Sequence, residues 1–592
     1  MKGNLIIGER YAAFKKLSSA ARFFSLLVAF GCVAWGQPAA SGLCGLLASS
    51  GGYALFWSSI VDRPAKLTRF MWGTVFFLAV QLVQLAWFIS HPFAYSYAVY
   101  LLFSLGTALQ FGLLCLLITP GRLLSYWGAV QVASLWTLFE WLRLLPMSGY
   151  VWNPIGLALT SSVYAMQMAS LFGVFGLSFW VILVNALALR LWLILVFKVP
   201  GKRYLAGAVW ISALALPFIY GYAHIYVHER EIGKLKELNQ LSTVTAVLVQ
   251  TAFPAEETLQ LKGQESWLRF AMGEWRSILG LLKKHQGEDI DLIAFPETVV
   301  PLGTFSAVYP LHMVQSAFSE ILGHAVLTSL PAGEAHLARA VQSGQDSLWL
   351  VNNAFWVQAI ANIFRAEVVI GLDDMDYAAD GQAQYYNAAF HFHPNSDGPL
   401  SPPPLIERYE KRVLLPMAEY IPFAFCRQLA AKYGIGGSFT PGTQAKVWQG
   451  RKCPFGVCIC YEETFGDMMR DNRLLGADFL LNVTSDVWYP NSSLPQQHLD
   501  HARLRTVENG MALVRACNTG VTCVVDSLGR NVAVLGEKAD QPEWVAEALK
   551  VEVPLYTYST LYTQWGDKLI VWLCVALVLL STYVMYFISL KK

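Results

Sequence analysis

Apolar segments that are long enough, or nearly so, to cross a lipid bilayer follow one another through the first 223 residues of the chain. They constrain the fold more than any other feature, because a bilayer span commits about 20 consecutive residues to the membrane. Composition agrees, since 55% of the residues are hydrophobic and 14% are charged, whereas about 25% are charged in an average soluble protein. We predict a multi-pass α-helical membrane domain with spans at residues 22–35, 40–60, 70–89, 97–118, 124–145, 171–197 and 204–223, and an eighth span at 569–589.

The distribution of lysine and arginine in the short loops predicts the orientation of these spans, because cytoplasmic loops carry an excess of both residues. Lysine and arginine occur in the amino-terminal tail and after spans two, four and six. They are absent from the loops around Gln37, around His91 and at 146–162. The amino terminus is therefore predicted to be cytoplasmic, and seven crossings place residues 224–566 outside the cytoplasm.

The segment at 224–566 differs from the apolar segments, because charged residues return and strand patterns alternate with helical ones. This alternation is typical of an α/β domain. A chain of 592 residues is also too long for one hydrophobic core. The predicted domains are a membrane domain at 1–223, an extracytoplasmic α/β domain at 224–566, and an eighth transmembrane helix with a cytoplasmic tail at 567–592. Predicted strands are 244–250, 291–296, 477–482 and 521–526, and predicted helices are 265–285 and 496–512.

A short apolar run at 454–459 ends at Cys460, which is followed by Tyr461 and Glu462. This pattern indicates a buried strand that delivers one side chain to a polar pocket. A thiol in that position is a candidate nucleophile, although an inert buried cysteine is the alternative. Cys458 is the local rival, since it is predicted to share the strand face of Cys460, but it lacks the following aromatic and acidic pair.

Two other stretches provide chemical partners for this thiol. Glu297 ends a second predicted buried strand, where a carboxylate can act as a general base. Lys411 precedes an apolar turn that leads to Glu419, and a fixed ammonium group there can stabilise an oxyanion and lower the pKa of the thiol. A solvated acid and a solvated lysine are the simpler interpretations of these residues.

Together the three motifs resemble the nitrilase superfamily, whose catalytic set is Glu, Lys and Cys at strand ends, with Cys-Tyr/Trp-Glu at the nucleophile. The resemblance implies an αββα sandwich for the α/β domain and a catalytic triad of Glu297, Lys411 and Cys460. It also implies supporting roles, in orienting the triad or holding an oxyanion, for Glu419, Glu462 and Tyr461.

The spans on both sides of the α/β domain set the chain apart from soluble nitrilase relatives and resemble the apolipoprotein N-acyltransferases of bacterial inner membranes. The motifs that carry this resemblance lie at 140–143, 167–176, 411–422, 460–462, 485–488, 497–498, 502–503 and 515–522. It implies N-acylation of the α-amine of the amino-terminal diacylglyceryl-cysteine of lipoproteins, with a phospholipid donor and a Cys460 thioester. It also implies an inner-membrane location with a periplasmic catalytic domain, a monomer, and no cofactor.

Further residues are candidates for substrate contact. Trp488 follows a predicted strand and can line the mouth of the pocket, although a packed loop tryptophan is the alternative. Arg143 lies at the end of span five, three positions after Glu140. Ionisable residues in a span are often functional, but at this spacing the two can simply pair. The remaining candidates are Asn387, Leu415 and Pro422.

Several other kinds of site are not predicted. His498 and His501 lack metal-ligand partners at a recognisable spacing, so they are interpreted as polar contacts of a helix, and no metal is expected. A net charge of +2 without a Lys/Arg-rich block argues against nucleic acid. Cys453 and Cys458 are close enough in sequence for a disulfide to be conceivable, but Cys458 lies inside the predicted strand and would have to point at its partner.

Two other functions remain as alternatives. A membrane-tethered amidase or nitrilase that uses water as the acceptor would share every catalytic residue. A non-enzymatic scaffold or transporter would leave the three motifs unexplained. Departures from the acyltransferase pattern bear on head-group preference and loop motion rather than on the triad, and they occur near Thr251, Ala418, Pro490 and Cys517.

Overall fold

The structure is a computed structural model that describes residues 19–199, 201–332, 336–343, 346–395, 405–421 and 438–590. The chain forms two compact units. The first comprises Met1–Gly233 and Ser559–Lys592, and the second comprises Lys234–Tyr558. The first is built from apolar helices, and the second from sheets covered by helices.

Each of the eight predicted spans contains a helix. These helices are α1 (Ser19–Ala34), α2 (Gly42–Ile60), α3 (Lys66–Gln84), α4 (Tyr95–Cys115), α5 (Tyr126–Leu142), α6 (Ala169–Val196), α7 (Arg203–Glu237) and, at the carboxyl end, α13 (Asp567–Leu590). Within the described ranges, six of them are long and apolar enough to cross a membrane by length and composition, namely α2, α3, α4, α6, α7 and α13. The prediction of a helical membrane domain is confirmed, and the number of crossings stays a prediction.

Helix α2 contains a π-helical turn at Ala48–Gly52 that interrupts its regular hydrogen bonding. The buried amide of Asn185 in α6 donates to the carbonyl oxygens of Ala48 and Ser49, each at 3.0 Å. It also accepts from the backbone N–H of Tyr53 at 3.0 Å. Because the hydrocarbon core of a bilayer contains no water to satisfy backbone groups, this side chain stabilises the irregular turn.

The second unit contains two six-stranded sheets and one small sheet. Its strands are β1 (Thr243–Gln250), β2 (Leu292–Ala294), β3 (Tyr309–Pro310), β4 (Ala338–Ser343), β5 (Asp346–Val351), β6 (Glu367–Tyr377), β7 (Ala383–Phe392), β8 (Glu407–Glu410), β9 (Val447–Gln449), β10 (Pro454–Ile459), β11 (Phe479–Thr484), β12 (Ala512–Cys517), β13 (Cys523–Val525), β14 (Asn531–Val534) and β15 (Glu547–Pro554). The strand orders are β15-β1-β2-β6-β7-β8, β14-β13-β12-β11-β10-β9 and β3-β5-β4. The central strands β1, β2 and β6 are parallel, as are β10, β11 and β12.

Helices cover both outer faces of the paired sheets. They are α8 (Gln264–Leu282), α9 (Leu311–Leu322), α10 (Asn353–Phe364), α11 (Gly466–Leu474) and α12 (Leu494–Asn509). In β1, Ala246 and Leu248 pack between the two sheets, whereas Val247 and Val249 pack against the α8–α10 layer. The other sheet packs its outer face on α11 and α12. The layers are therefore helix, sheet, sheet and helix, which confirms the predicted αββα sandwich.

Several predicted element boundaries differ from those of the structure, and helix α12 and strand β13 illustrate why. Helix α12 ends at Asn509 rather than at residue 512, because Gly510 has φ 59° and a left-handed residue of this kind terminates a helix. Ala512 instead begins strand β12. The predicted strand at 521–526 is limited to Cys523–Val525, and a register irregularity between Val524 and Val525 shortens its pairing with β14.

Candidate active site

Cys460 lies at a sharp turn directly after strand β10. Its φ of 52° is in the left-handed region, which is strained for a residue with a Cβ atom and is enriched at functional sites. The turn breaks the alternation of the strand, so Cys460 packs at the margin of the core between the sheets. Cys458 packs on the opposite face, under α11 and α12. The prediction that the two cysteines share one strand face is wrong, because the strand ends at Ile459.

Lys411 follows strand β8 and lies between two carboxylates. Its Nζ donates to Oε1 of Glu297 at 2.9 Å and to Oε1 of Glu419 at 2.6 Å. The three side chains are 2%, 7% and 14% exposed, in the order Lys411, Glu297, Glu419. The structure thus brings together the acid and the lysine that the sequence motifs single out, in a place where water screens their charges weakly.

The electrostatics of the site favour a neutral thiol beside a charged ammonium group. Burial and then the charge of Glu297 raise the pKa of Cys460 well above its usual range, and Lys411 opposes this rise only in part. Burial disfavours the charged form of Lys411, but the carboxylates of Glu297 and Glu419 outweigh it and raise the pKa of the ammonium group. A reaction through the Cys460 thiolate would therefore need a base to take the proton of the thiol.

Asn387 holds the two carboxylates in place. Its Nδ2 donates to Oε1 of Glu297 at 2.8 Å and to Oε1 of Glu419 at 3.1 Å, and its backbone carbonyl oxygen accepts from the backbone N–H of Lys411 at 2.9 Å. Glu419 also accepts from the backbone N–H of Leu415 at 2.8 Å. Both Asn387 and Leu415 are thus engaged with the acids around Lys411, and their contact with substrate stays a prediction.

Glu462 connects the segment after Lys411 to the end of strand β10. Its Oε1 accepts from the backbone N–H groups of Arg412 at 2.5 Å and Val413 at 3.1 Å. Its Oε2 accepts from the backbone N–H of Ile459 and from the hydroxyl of Tyr409, each at 2.8 Å. This fully buried carboxylate therefore ties the loop that carries the lysine to the turn that carries the cysteine.

Gly371 in β6 makes room for Glu297, and the sequence motifs do not reveal it. A Cβ atom at this position would lie 2.5 Å from Cα of Glu297 and 2.7 Å from the carbonyl oxygen of Pro296. The backbone N–H of Gly371 also donates to the carbonyl oxygen of Pro296 at 2.9 Å, and its carbonyl oxygen accepts from the N–H of Val299 at 3.0 Å. Any larger residue must displace the backbone that positions the carboxylate.

We expect Gly371→Ala to lower the catalytic rate by about 10- to 100-fold, because a displacement of about 1 Å at a reacting group can cost that much. The measurement is kcat and KM of the purified protein. Gly280→Ala is the matched control, since nothing lies within 4 Å of the added Cβ atom on helix α8. Wild-type kinetics in Gly371→Ala would contradict the positioning of Glu297 by this glycine.

A second buried ionic network lies behind the Cys460 turn. His498 of α12 lies between two acids, with Nε2 3.0 Å from Oε1 of Glu463 and Nδ1 3.0 Å from Oδ1 of Asp486. Arg515 of β12 lies 2.9 Å from the same Glu463 oxygen. Asp486 interacts electrostatically with Cys460, so the network borders the candidate nucleophile. His498 is therefore an ion-pair partner, and the sequence-based interpretation of a helix polar contact understated its role.

The stability of the protein is expected to fall between pH 6.5 and 9 because of His498. Burial favours its neutral form, but Glu463 and Asp486 outweigh it and raise the pKa of His498 to about 9. An unfolded histidine loses its proton near pH 6.5, so this contribution is complete below that pH and is lost as the pH rises through about 9. The shift corresponds to about 3 kcal/mol.

Melting curves of the detergent-purified protein at pH 6 and pH 9 measure this loss. His498→Gln should be less stable at pH 6 and should lose most of the pH dependence. His324→Gln, at an exposed position, should behave as the wild type. A wild-type melting temperature that is equal at both pH values would contradict the ion-pair role.

The other predicted site residues have varied surroundings. The ring of Tyr461 is buried and packs edge-on against Phe465 at 5.1 Å. Trp488 is partly exposed in the loop after β11. Pro422 lies outside the described residues. Arg143 belongs to the helical unit, where its Nε donates to Oε1 of Gln110 at 2.7 Å.

Glu140 and Arg143 each contact other residues, and both contact Trp136, rather than simply pairing with each other. Oε1 of Glu140 accepts from the indole N–H of Trp136 at 2.8 Å and from the backbone N–H of Ile155 at 2.7 Å. The guanidinium group of Arg143 lies over the ring of Trp136 at 5.2 Å.

In the second unit, Cys453 and Cys458 are both free thiols, so the conceivable disulfide does not form.

Comparison with known proteins identifies the family. The carbon-nitrogen hydrolase family matches residues 265–554, and the amino-terminal domain of apolipoprotein N-acyltransferase matches residues 31–187. A relative from Chlamydia pneumoniae named apolipoprotein N-acyltransferase is 31% identical over 92% of this chain and 94% of its own length. Relatives of the same name from Chlamydia caviae and Geobacter metallireducens are 30% and 26% identical, over 92% and 76% of this chain and 94% and 72% of their own lengths. This chain therefore belongs to the apolipoprotein N-acyltransferase family.

Proposed function

We propose that this protein transfers an acyl chain from a phospholipid to the α-amine of the amino-terminal diacylglyceryl-cysteine of lipoproteins, through a thioester on Cys460. The observation that carries the proposal is the buried Glu297–Lys411–Glu419 cluster, which interacts electrostatically with a cysteine on a strained turn. The names of the relatives support the choice of lipoprotein as acceptor. Glu297, Lys411 and Cys460 are the proposed catalytic residues.

In the first half-reaction, Glu297 takes the proton of the Cys460 thiol while Sγ attacks the ester carbonyl carbon of the phospholipid. The tetrahedral oxyanion needs a donor, and Lys411 has three N–H groups, of which the bonds to Glu297 and Glu419 use two. The third can donate to the oxyanion. When the C–O bond breaks, the leaving alkoxide takes the proton from Glu297, and the thioester and a lysophospholipid remain.

In the second half-reaction, the free amine of the lipoprotein attacks the thioester carbonyl. Glu297 takes a proton from the nitrogen as the amide forms, and the leaving thiolate recovers a proton from Glu297. Splitting the transfer into two steps in this way is the purpose of a covalent intermediate. Glu419, Asn387 and Glu462 hold Lys411 and the turn in place through the hydrogen bonds described above.

The membrane location follows from the chemistry of the substrates. Each buried methylene group of an acyl chain contributes about 0.8 kcal/mol to partitioning into a bilayer, so both substrates reside in the membrane. The apolar helical unit keeps the enzyme with them. From the distribution of lysine and arginine, we propose that the catalytic domain at 224–566 lies on the periplasmic side. The inner membrane as the location and a monomeric protein are proposed from the family resemblance alone.

The test is a two-stage assay with the full-length protein in detergent micelles. Incubation with phospholipid alone should add the mass of one acyl chain at Cys460, detected by mass spectrometry of its peptide. Addition of a diacylated lipopeptide with a free α-amine should remove that mass and yield a triacylated lipopeptide. An N-acetylated lipopeptide is the control, and it should leave the acyl-enzyme intact.

Two outcomes would contradict the proposal. An acyl-enzyme that is hydrolysed at the same rate with and without the amine would favour a membrane-tethered amidase with water as its acceptor. The absence of any acyl mass on Cys460, in protein that is folded and supplied with phospholipid, would exclude the thioester.

A further inference from the structure

A second group of ionisable side chains lies at the opposite end of the parallel strands from the Cys460 turn. Glu367 is the first residue of β6 and is paired with Leu292 at the start of β2, whereas Glu297 follows the end of that strand. His391 and His393 come at the end of the antiparallel strand β7, and Glu407 begins β8. We refer to these four residues as the His391 cluster.

The imidazole of His391 is fully buried, and within the described part of the chain only one of its two ring nitrogens has a hydrogen-bond partner. Its Nδ1 lies 3.0 Å from Oε2 of Glu407. Its Nε2 has no hydrogen-bond partner among the described residues, because the nearest carboxylate oxygen, Oε2 of Glu367, is 3.9 Å away. A buried nitrogen without a partner is costly, and this one faces the carboxylate of Glu367.

Together with Nε2 of His391, the side chains of Glu367 and His393 provide three potential ligand atoms for a metal ion. Nδ1 of His393 lies 3.2 Å from Oε1 of Glu367, and the ring centre of His393 is 4.2 Å from that of His391. One ligand atom from each of Glu367, His391 and His393 lies within 4.8 Å of the other two. Tetrahedral zinc with bonds of about 2.0–2.1 Å needs ligand atoms about 3.3 Å apart, so side-chain shifts of about 1 Å would suffice.

The surroundings match those of metal sites in two further respects. A histidine that binds a metal usually donates its second N–H to a carboxylate, which fixes the tautomer and the orientation of the ring, and Glu407 is placed to accept from Nδ1 of His391. Glu367 and His393 also line a cavity of about 700 Å³ together with Asn395. This cavity offers room for water in a fourth coordination position.

We propose that Glu367, His391 and His393 bind one divalent transition-metal ion, with Zn²⁺ as the ion of best fit, and that Glu407 orients His391 for this purpose. Two imidazoles and a carboxylate are ligands that suit zinc. The site is distinct from the proposed acyl-transfer centre and does not depend on it. The sequence motifs predict no metal because His498 and His501 lack ligand partners at a recognisable spacing, whereas the ligands proposed here lie at the end of β7 and at the start of its neighbour β6.

The test uses the full-length protein in detergent, purified without a polyhistidine tag, stripped with a chelator and dialysed. Titration with zinc sulfate in a calorimeter should show one Zn²⁺ per chain, and Co²⁺ should give visible absorption bands typical of tetrahedral coordination. Glu367→Gln and His393→Ala should each abolish both signals. Glu407→Gln, which keeps all three ligands, should weaken binding by about 10- to 100-fold. His312→Ala, at an exposed position, should bind as the wild type.

The alternative is that the cluster consists of histidine–glutamate ion pairs only. Failure of the folded wild type to bind Zn²⁺, or equal binding by the wild type, Glu367→Gln and His393→Ala, would overturn the proposal. Melting curves establish that each variant is folded. Because His393 is more exposed than His391, its replacement leaves the pair of His391 and Glu407 intact. Loss of acyl transfer would leave this result unaffected, so the two proposals can fail separately.

Discussion

Cys460→Ser is expected to lower acyl transfer by at least about 10⁴-fold, because removal of a catalytic nucleophile can cost about 10⁶-fold in rate. Burial already raises the pKa of the Cys460 thiol, and a serine hydroxyl is a far weaker acid, so Glu297 could not ionise it. The side chain is similar in size and lies at the margin of the core, so the protein should fold. The rate of triacylated lipopeptide formation and the mass of the Cys460 peptide measure the effect.

Cys458→Ala is the matched control for this prediction. Cys458 precedes Cys460 by two residues and lies inside strand β10, where it is packed under α11 and α12 and its Sγ accepts from Nδ2 of Asn482 at 3.3 Å. Burial and the charge of Glu463 raise the pKa of this thiol as well, so acidity alone does not distinguish the two cysteines. The two cysteines differ instead in position, because the turn at Cys460 places this residue on the opposite face from Cys458. Activity that survives Cys460→Ser and is lost in Cys458→Ala would reverse the assignment.

The sequence predicts two of the three strand ends from which the candidate triad extends, for a physical reason. Glu297 and Cys460 each follow a short run of residues that strands bury on both faces, and such runs are recognisable as apolar segments that stop at a polar residue. Lys411 instead follows the polar, partly buried strand Glu407–Glu410, so its position at a strand end is implied by the family resemblance alone. Their mutual proximity and the αββα sandwich came from the resemblance to a known superfamily. Periodicity by itself does not specify how two sheets pack.

What the sequence could not provide depends on contacts between distant segments. Gly371 is one glycine among 45, and only the approach of the Glu297 backbone shows why a side chain cannot be placed there. The ion pairs of His498 join three separate elements. The error about Cys458 has a local cause: alternation holds only while a strand continues, and the left-handed residue at 460 ends it.

Lys411→Met is expected to abolish acyl transfer and to destabilise the catalytic unit. Removing one oxyanion donor costs about 10²–10³-fold in rate, and here the cation is lost with it. The substitution also leaves the carboxylates of Glu297 and Glu419 facing one another without the ammonium group that both contact. Removal of one partner from a buried ion pair costs about 3–5 kcal/mol. Acyl-transfer rates and melting curves measure the two effects separately.

A second substitution separates the catalytic role of Lys411 from its structural one. In Lys411→Met combined with Glu419→Gln, one of the two negative charges that face each other is removed, so part of the lost stability should return. Activity should not return, because neither methionine nor glutamine can stabilise the oxyanion as a cation does. Lys538→Met, at an exposed site, should match the wild type in both measurements. Recovery of acyl transfer in the double variant would mean that Lys411 only neutralises Glu297 and Glu419, and that the oxyanion is stabilised elsewhere.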